Sequence, residues 1–137
     1  MASAEVYDVI EQRLTDQWSA TPVVFENQSW PLADAPAAFV YVEVFGDYFD
    51  QESIGGGEGL SANLWREGGQ LLMHVMVPND TGTSAARGYA KQLVDLFRGQ
   101  EIDGVVFRNA AIGAGDPGKE DGNYYRMTAS VTWQRDQ

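Results

Sequence analysis

A chain of 137 residues with nine Lys and Arg against twenty Asp and Glu carries a formal charge of −11 and no cysteine. That length suits one domain that buries roughly two thirds of its unfolded surface, so a core needs no covalent staple, and the missing thiols exclude disulfides and thiolate metal sites. A surface this acidic repels phosphate backbones and disfavours sequence-specific DNA binding.

The first predicted element is a helix over residues 3–18. Val6, Ile10, Leu14 and Trp18 recur every four positions, with Val9 on the flank, and form one apolar stripe. Ser3 stands where an N-cap hydroxyl would accept from the unpaired amides of the first turn. Thr21-Pro22 ends the helix, because the proline ring cannot continue it. A short strand over 23–26 and a loop over 27–36 follow. The strand expected over 38–45 is apolar on both sides, Val40, Val42 and Val44 against Phe39, Tyr41 and Phe45. That pattern predicts an interior strand, or one whose outer face a partner covers.

Residues 46–59 read as a long acidic loop around Gly55-Gly56-Gly57. Strands over 60–65 and 70–77 then form a hairpin, with Trp65-Arg66-Glu67-Gly68-Gly69 as its turn. The helix over 83–98 places Ala86, Tyr89, Ala90, Leu93, Leu96 and Phe97 at three- and four-residue spacing. Gly88 inside it costs about 1 kcal/mol relative to alanine and is read as allowing a close approach to the sheet. Gly99 suits a left-handed C-cap. A strand over 105–111 and a turn-rich loop over 113–122 lead to the last strand, 124–134. There Tyr125, Met127, Ala129, Val131 and Trp133 alternate with polar residues. The order helix, strands, helix, strands predicts a single α+β domain of two layers. Its mostly antiparallel, or mixed, β-sheet carries both helices on one face.

Candidate chemistry is sparse. His74, the lone histidine, lies mid-strand with Leu72 and Met76 on its face and no motif to supply a nucleophile, so a structural or partner-facing role is expected. Gly113-Ala114-Gly115-Asp116-Pro117-Gly118 has the letters of a dinucleotide fingerprint, but a strand follows where the pyrophosphate needs a helix. Gly55-Gly56-Gly57-Glu58-Gly59 lacks the Lys-Ser/Thr pair of a phosphate cradle. The acidic clusters Asp47, Asp50, Glu52, Glu58 and Asp116, Glu120, Asp121 match no calcium loop, so solvated or partner-binding loops are expected. No cofactor, metal or catalytic residue is assigned. Trp30, Tyr41, Tyr48, Phe49, Trp65 and Tyr124 are a surplus of aromatics at exposed-looking positions, the residues that anchor protein–protein interfaces. No stretch approaches the roughly 18 apolar residues of a membrane span, and without a basic region followed by an apolar run a secretory leader is not expected.

Several fragments, in order, carry a resemblance over nearly the whole chain. They are Trp18-Ser19-Ala20-Thr21-Pro22, Phe25-Glu26-Asn27, Phe39-Val40-Tyr41-Val42, Glu67-Gly68-Gly69-Gln70-Leu71, Thr81-Gly82-Thr83-Ser84-Ala85-Ala86, Leu96-Phe97-Arg98 and Asp121-Gly122-Asn123-Tyr124-Tyr125-Arg126. Together they resemble the tail-terminator (tail-completion) proteins of long-tailed bacteriophages, relatives in shape of the minor tail protein U of phage lambda. The resemblance implies a virion protein, assembled in the host cytoplasm, that caps the tail tube as a hexameric ring. Its implied partners are copies of itself, the tail tube protein and the head-completion, connector or stopper protein of the neck, with DNA passing the lumen unbound. Asp47, Tyr48, Phe49, Asp50, Glu52, Ile54, Glu58, Trp65, Asp116, Lys119, Glu120 and Asp121 are the expected contact residues, chosen for loop length and aromatic content. The rival readings are another connector or stopper ring, a peptide-binding module at a free sheet edge, and a small hydrolase or metal-dependent enzyme whose pocket gathers His74 with carboxylates from the loops.

Overall fold

The computed structural model describes residues 3–28, 38–52, 64–78, 82–113 and 124–136. Helix α1 (Ala4–Gln17) is followed by strands β1 (Val23–Val24), β2 (Phe39–Gln51) and β3 (Trp65–Pro78). Helix α2 (Ser84–Phe97) precedes β4 (Glu101–Ile102), β5 (Val105–Ile112) and β6 (Tyr124–Asp136). The six strands form one sheet in the order β1-β2-β3-β6-β5-β4. β1 runs parallel to β2, and every other pair is antiparallel. The expected two-layer α+β architecture is what the chain adopts.

Register explains why both helices share one face. Val40, Val42 and Val44 lie opposite Val75, Met73 and Leu71, which in turn face Met127, Ala129 and Val131. Side chains alternate along a strand, so these nine fall on the same side of the sheet. Val6, Ile10 and Leu14 of α1 and Ala86, Ala90, Leu93 and Phe97 of α2 bury against them in a single core cluster. Each large aliphatic side chain buried there is worth about 1.5–3 kcal/mol, an upper bound because unfolded chains already hide some surface. The opposite face carries a smaller cluster of Val24, Phe39 and Met76, flanked by Tyr41 and Tyr124. This accounts for the two-sided apolarity at the start of β2. Among the described residues, only the two of β1 lie outside this strand.

The expected loop and hairpin between residues 46 and 70 are corrected. β2 runs on to Gln51 and β3 begins at Trp65, so Trp65 to Gly69 is strand and not turn. Gly46 pairs with Gly69, then a bulge at Asp47 shifts the register so that Tyr48 meets Gly68. The glycines serve close approach. A Cβ on Gly69 would sit 1.9 Å from the Phe45 carbonyl oxygen, and one on Gly68 would sit 2.4 Å from the Tyr48 ring.

Smaller differences follow physical causes. Ser3 is the N-cap by position, but its hydroxyl caps no amide and goes to the sheet. Trp18 is half-buried at the helix end, edge-on to Tyr89, where Nε1 donates to Thr21 Oγ1. Gly88 is exposed, and a Cβ there would meet nothing within 4 Å, so it serves no approach to the sheet. Gly99 does take the left-handed conformation, with φ of 70°. Asp103 and Gly104, both at positive φ, turn β4 into β5.

Candidate functional site

Four expected contact residues belong to β2. Asp47 is the bulge residue, Tyr48, Phe49 and Asp50 continue the strand, and Glu52 follows it with its amide donating to the Leu64 carbonyl. Ile54 and Glu58 in one segment, and Asp116, Lys119, Glu120 and Asp121 in another, lie outside the described residues, as does Trp30. Trp65 is half-buried and stacks on Phe49 at a centroid distance of 5.5 Å. The far half of the β2–β3 ribbon is thus an aromatic arm, its β3 strand paired with β6 as far as Asp136. Phe45 (46% exposed), Tyr48 (37%) and Leu64 (39%) are the large apolar side chains that it leaves to solvent among the described residues.

The arm is tied to β6 by charge as well as by the strand ladder. Arg66 Nε and Nη2 donate to the two carboxylate oxygens of Asp136 at 2.6 and 3.1 Å. Hydrogen bonding from Arg66 holds the Asp136 carboxyl below its ordinary value. Its contribution to stability is therefore full above that ordinary value and is lost as pH falls through the lowered one. The pair is about a third exposed, so solvent screening limits the effect. Asp136→Asn should remove a contribution of about 0.5 kcal/mol at pH 7 and flatten the acid limb of a stability–pH curve. An unchanged acid limb would show the pair to be energetically silent.

On the face without helices, His74 is buried, with polar partners on both sides. Its Nε2 lies 2.6 Å from Glu43 Oε1, its Nδ1 lies 2.7 Å from Thr128 Oγ1, and its ring stacks on Tyr41. Carboxylate, imidazole and hydroxyl in line are the parts of an acyl-transfer relay. Thr128, however, sits within the β3–β6 ladder opposite His74, and its carbonyl accepts from the Gly113 amide at 2.8 Å. What the line does is bond three neighbouring strands together. Glu43 and Thr128 were missed in the sequence because they are 31 and 54 residues from His74.

A second polar centre lies under α1. Glu67 is fully buried, accepts from the Ser3 hydroxyl at 2.6 Å and the Ser3 amide at 3.2 Å, and faces Arg135 Nη1 at 3.4 Å. Among the described residues, two shallow grooves flank the sheet. One, with a cavity volume of about 330 Å³, is lined by Ser3, Ala4, Tyr7, Glu26 and Val44. The other, about 230 Å³, is lined by Lys91, Val94, Arg98, Ala110, Ala111 and Ile112. The Tyr7 hydroxyl is pushed up to about 12, first by burial, then by its bond to Glu11 and by the charges of Glu11, Glu26 and Asp8. Among the described residues no three His, Asp or Glu side chains gather as metal ligands, and no helix is long and apolar enough to cross a membrane.

Comparison with known proteins returns structure but no family. No family model matches the sequence, and no curated protein does. A solved structure of a protein whose name carries no functional word is similar, with a TM-score of 0.65 and 17% identity over 98% of this chain and 96% of that one. This likeness shows the fold. It extends over essentially both full lengths.

Proposed function

We propose that this chain is a structural subunit of a long-tailed phage particle, a tail terminator. In this reading it caps the tail tube as a ring of six copies, stops tube growth and offers the joining surface for the neck. The observation that carries it is the β2–β3 arm, where Phe45 and Tyr48 stand exposed on strands pressed together through Gly68 and Gly69. Aromatic side chains held on a stiff frame lose little entropy on contact and are suited to anchoring a protein partner. The ordered sequence fragments described above and the net charge of −11, which keeps passing DNA from sticking, support the same reading.

Two alternatives have different phenotypes. Particles lacking the protein should show overlong or unjoined tails by electron microscopy. Normal tails on leaking heads would instead make the chain a stopper or connector of the neck. The outer edge of β2 also favours a peptide-binding module, since past Tyr41 no described strand pairs with it. Intact tail morphology together with capture of an extended peptide at that edge would favour this module.

A further inference from the structure

We propose that the two sheet edges are complementary halves of one joint, the β2 edge of one copy docking against the β5 edge of a second copy of this chain. The inference rests on the ring-subunit reading for its setting, but the surfaces are argued from geometry and charge. On one side, among the described residues, β1 covers β2 only at Val40 and Tyr41, and Asn27, at φ 58°, follows in a turn. Past that point Glu26 substitutes for a strand, accepting from the Val44 amide at 3.0 Å. On the other side, among the described residues, β4 pairs with β5 at Val105 and Val106, and the Gln100 carbonyl before it accepts from the Phe107 amide. The stretch from Arg108 to Ile112 has no described strand outside it.

The two covers sit at opposite ends of the sheet. Val40 is level with Val75 and Met127, whereas Val105 is level with Arg135 and Glu67. Glu43 is level with Leu72, Ser130 and Ala111, and Val44 with Leu71, Val131 and Ala110. The stretches with no described strand outside them, Glu43 to Asp47 and Arg108 to Ile112, therefore face each other when a second copy continues the sheet with little displacement along the strands and Glu26 gives up the Val44 amide. β2 and β6 run one way and β3 and β5 the other, so β5 of one copy meets β2 of the next antiparallel, the more stable pairing. Each edge also has its groove under a helix. The joint would continue the helix layer as well as the sheet.

Charge matches across it. The groove at β5 presents Lys91 and Arg98, which share the single carboxylate of Asp95, and Arg108 is exposed on the strand itself. These are three of only nine Lys and Arg in the chain. The groove at β2 is lined by Glu26, and the carboxylates of Asp8 and Glu11 bear on Tyr7 in its wall. A chain of −11 would repel its copies at random orientations, and this is a pair of surfaces where attraction replaces repulsion.

The chain has no cysteine, so introduced thiols report alone. Phe45→Cys and Ala111→Cys place one thiol on each edge strand, both at exposed positions. With a short bis-maleimide and assembled tail tubes, a mixture of the two single variants should give a covalent dimer. The double variant should give a ladder, and either single variant alone only background. Lys91→Glu with Arg98→Glu should cut the mixed crosslink at least tenfold while circular dichroism stays unchanged. If microscopy shows rings on tubes but the double variant gives no ladder, the edge joint is wrong and the ring reading survives. If the chain neither crosslinks nor associates with tubes, both fall. An undiminished crosslink in the charge-reversed variant would overturn the electrostatic match.

Discussion

Gly69→Ala should destabilise the protein by about 3 kcal/mol or more in chemical denaturation, among the largest effects open to a single methyl group here. The added carbon would lie 1.9 Å from the Phe45 carbonyl oxygen and 2.8 Å from the Gly46 Cα. Both are backbone atoms, so no side chain can swing aside, and β2 must lift from β3 at the base of the aromatic arm. Gly88→Ala provides the internal contrast. Its methyl would enter open space on an exposed helix surface, so it should stabilise by about 1 kcal/mol through helix propensity alone. A Gly69→Ala variant as stable as the parent would mean that the two strands do not cross this closely.

Glu67→Ala should cost about 3 kcal/mol, since breaking a buried ion pair from one side strands the other charge. Arg135, less than a quarter exposed, would lose its carboxylate, and Ser3 would lose both bonds that hold the start of α1 to the sheet. Ser3→Ala removes only the hydroxyl bond and should cost about 1 kcal/mol. The two substitutions share one interaction, so the double variant should fall short of their sum. Hydrogen exchange in the first turns of α1 should quicken in both. Strictly additive costs, or unchanged exchange in α1, would show that Glu67 does not anchor the helix.

Much of the fold is legible from periodicity. The four-residue recurrence from Val6 to Leu14 and the strict alternation from Tyr125 to Trp133 each need only the local chain, and both elements are where they were expected. The β2–β3 arm was not legible. Two adjacent glycines carry the same letters whether they close a turn or admit a neighbouring strand, and only the partner, Phe45 and Tyr48 here, decides which. β4 has two residues, too few for any period to register.

The site was legible in part. Tyr48, Phe49, Asp50 and Trp65 stand out for aromatic and acidic character, and the structure gathers them on one ribbon, the first three in a strand where the sequence predicts a loop and Trp65 in a strand where it predicts the start of a hairpin turn. The polar centres were invisible for a different reason. His74 meets residues 31 and 54 positions away, and Glu67 meets Ser3 at a separation of 64, so no local pattern announces either. Glu67 was further hidden by lying inside the apparent turn. The grooves beside β2 and β5 arise from where two short strands stop, which is a property of the assembled sheet.

The central claim, that this chain closes the end of a tail tube, is tested most directly by adding the purified protein to growing tubes and measuring length and tip morphology by electron microscopy. The account predicts a ring at one end of each tube and growth that halts on addition. Tubes that keep lengthening, with bare ends and all of the added protein left in the supernatant, would contradict it.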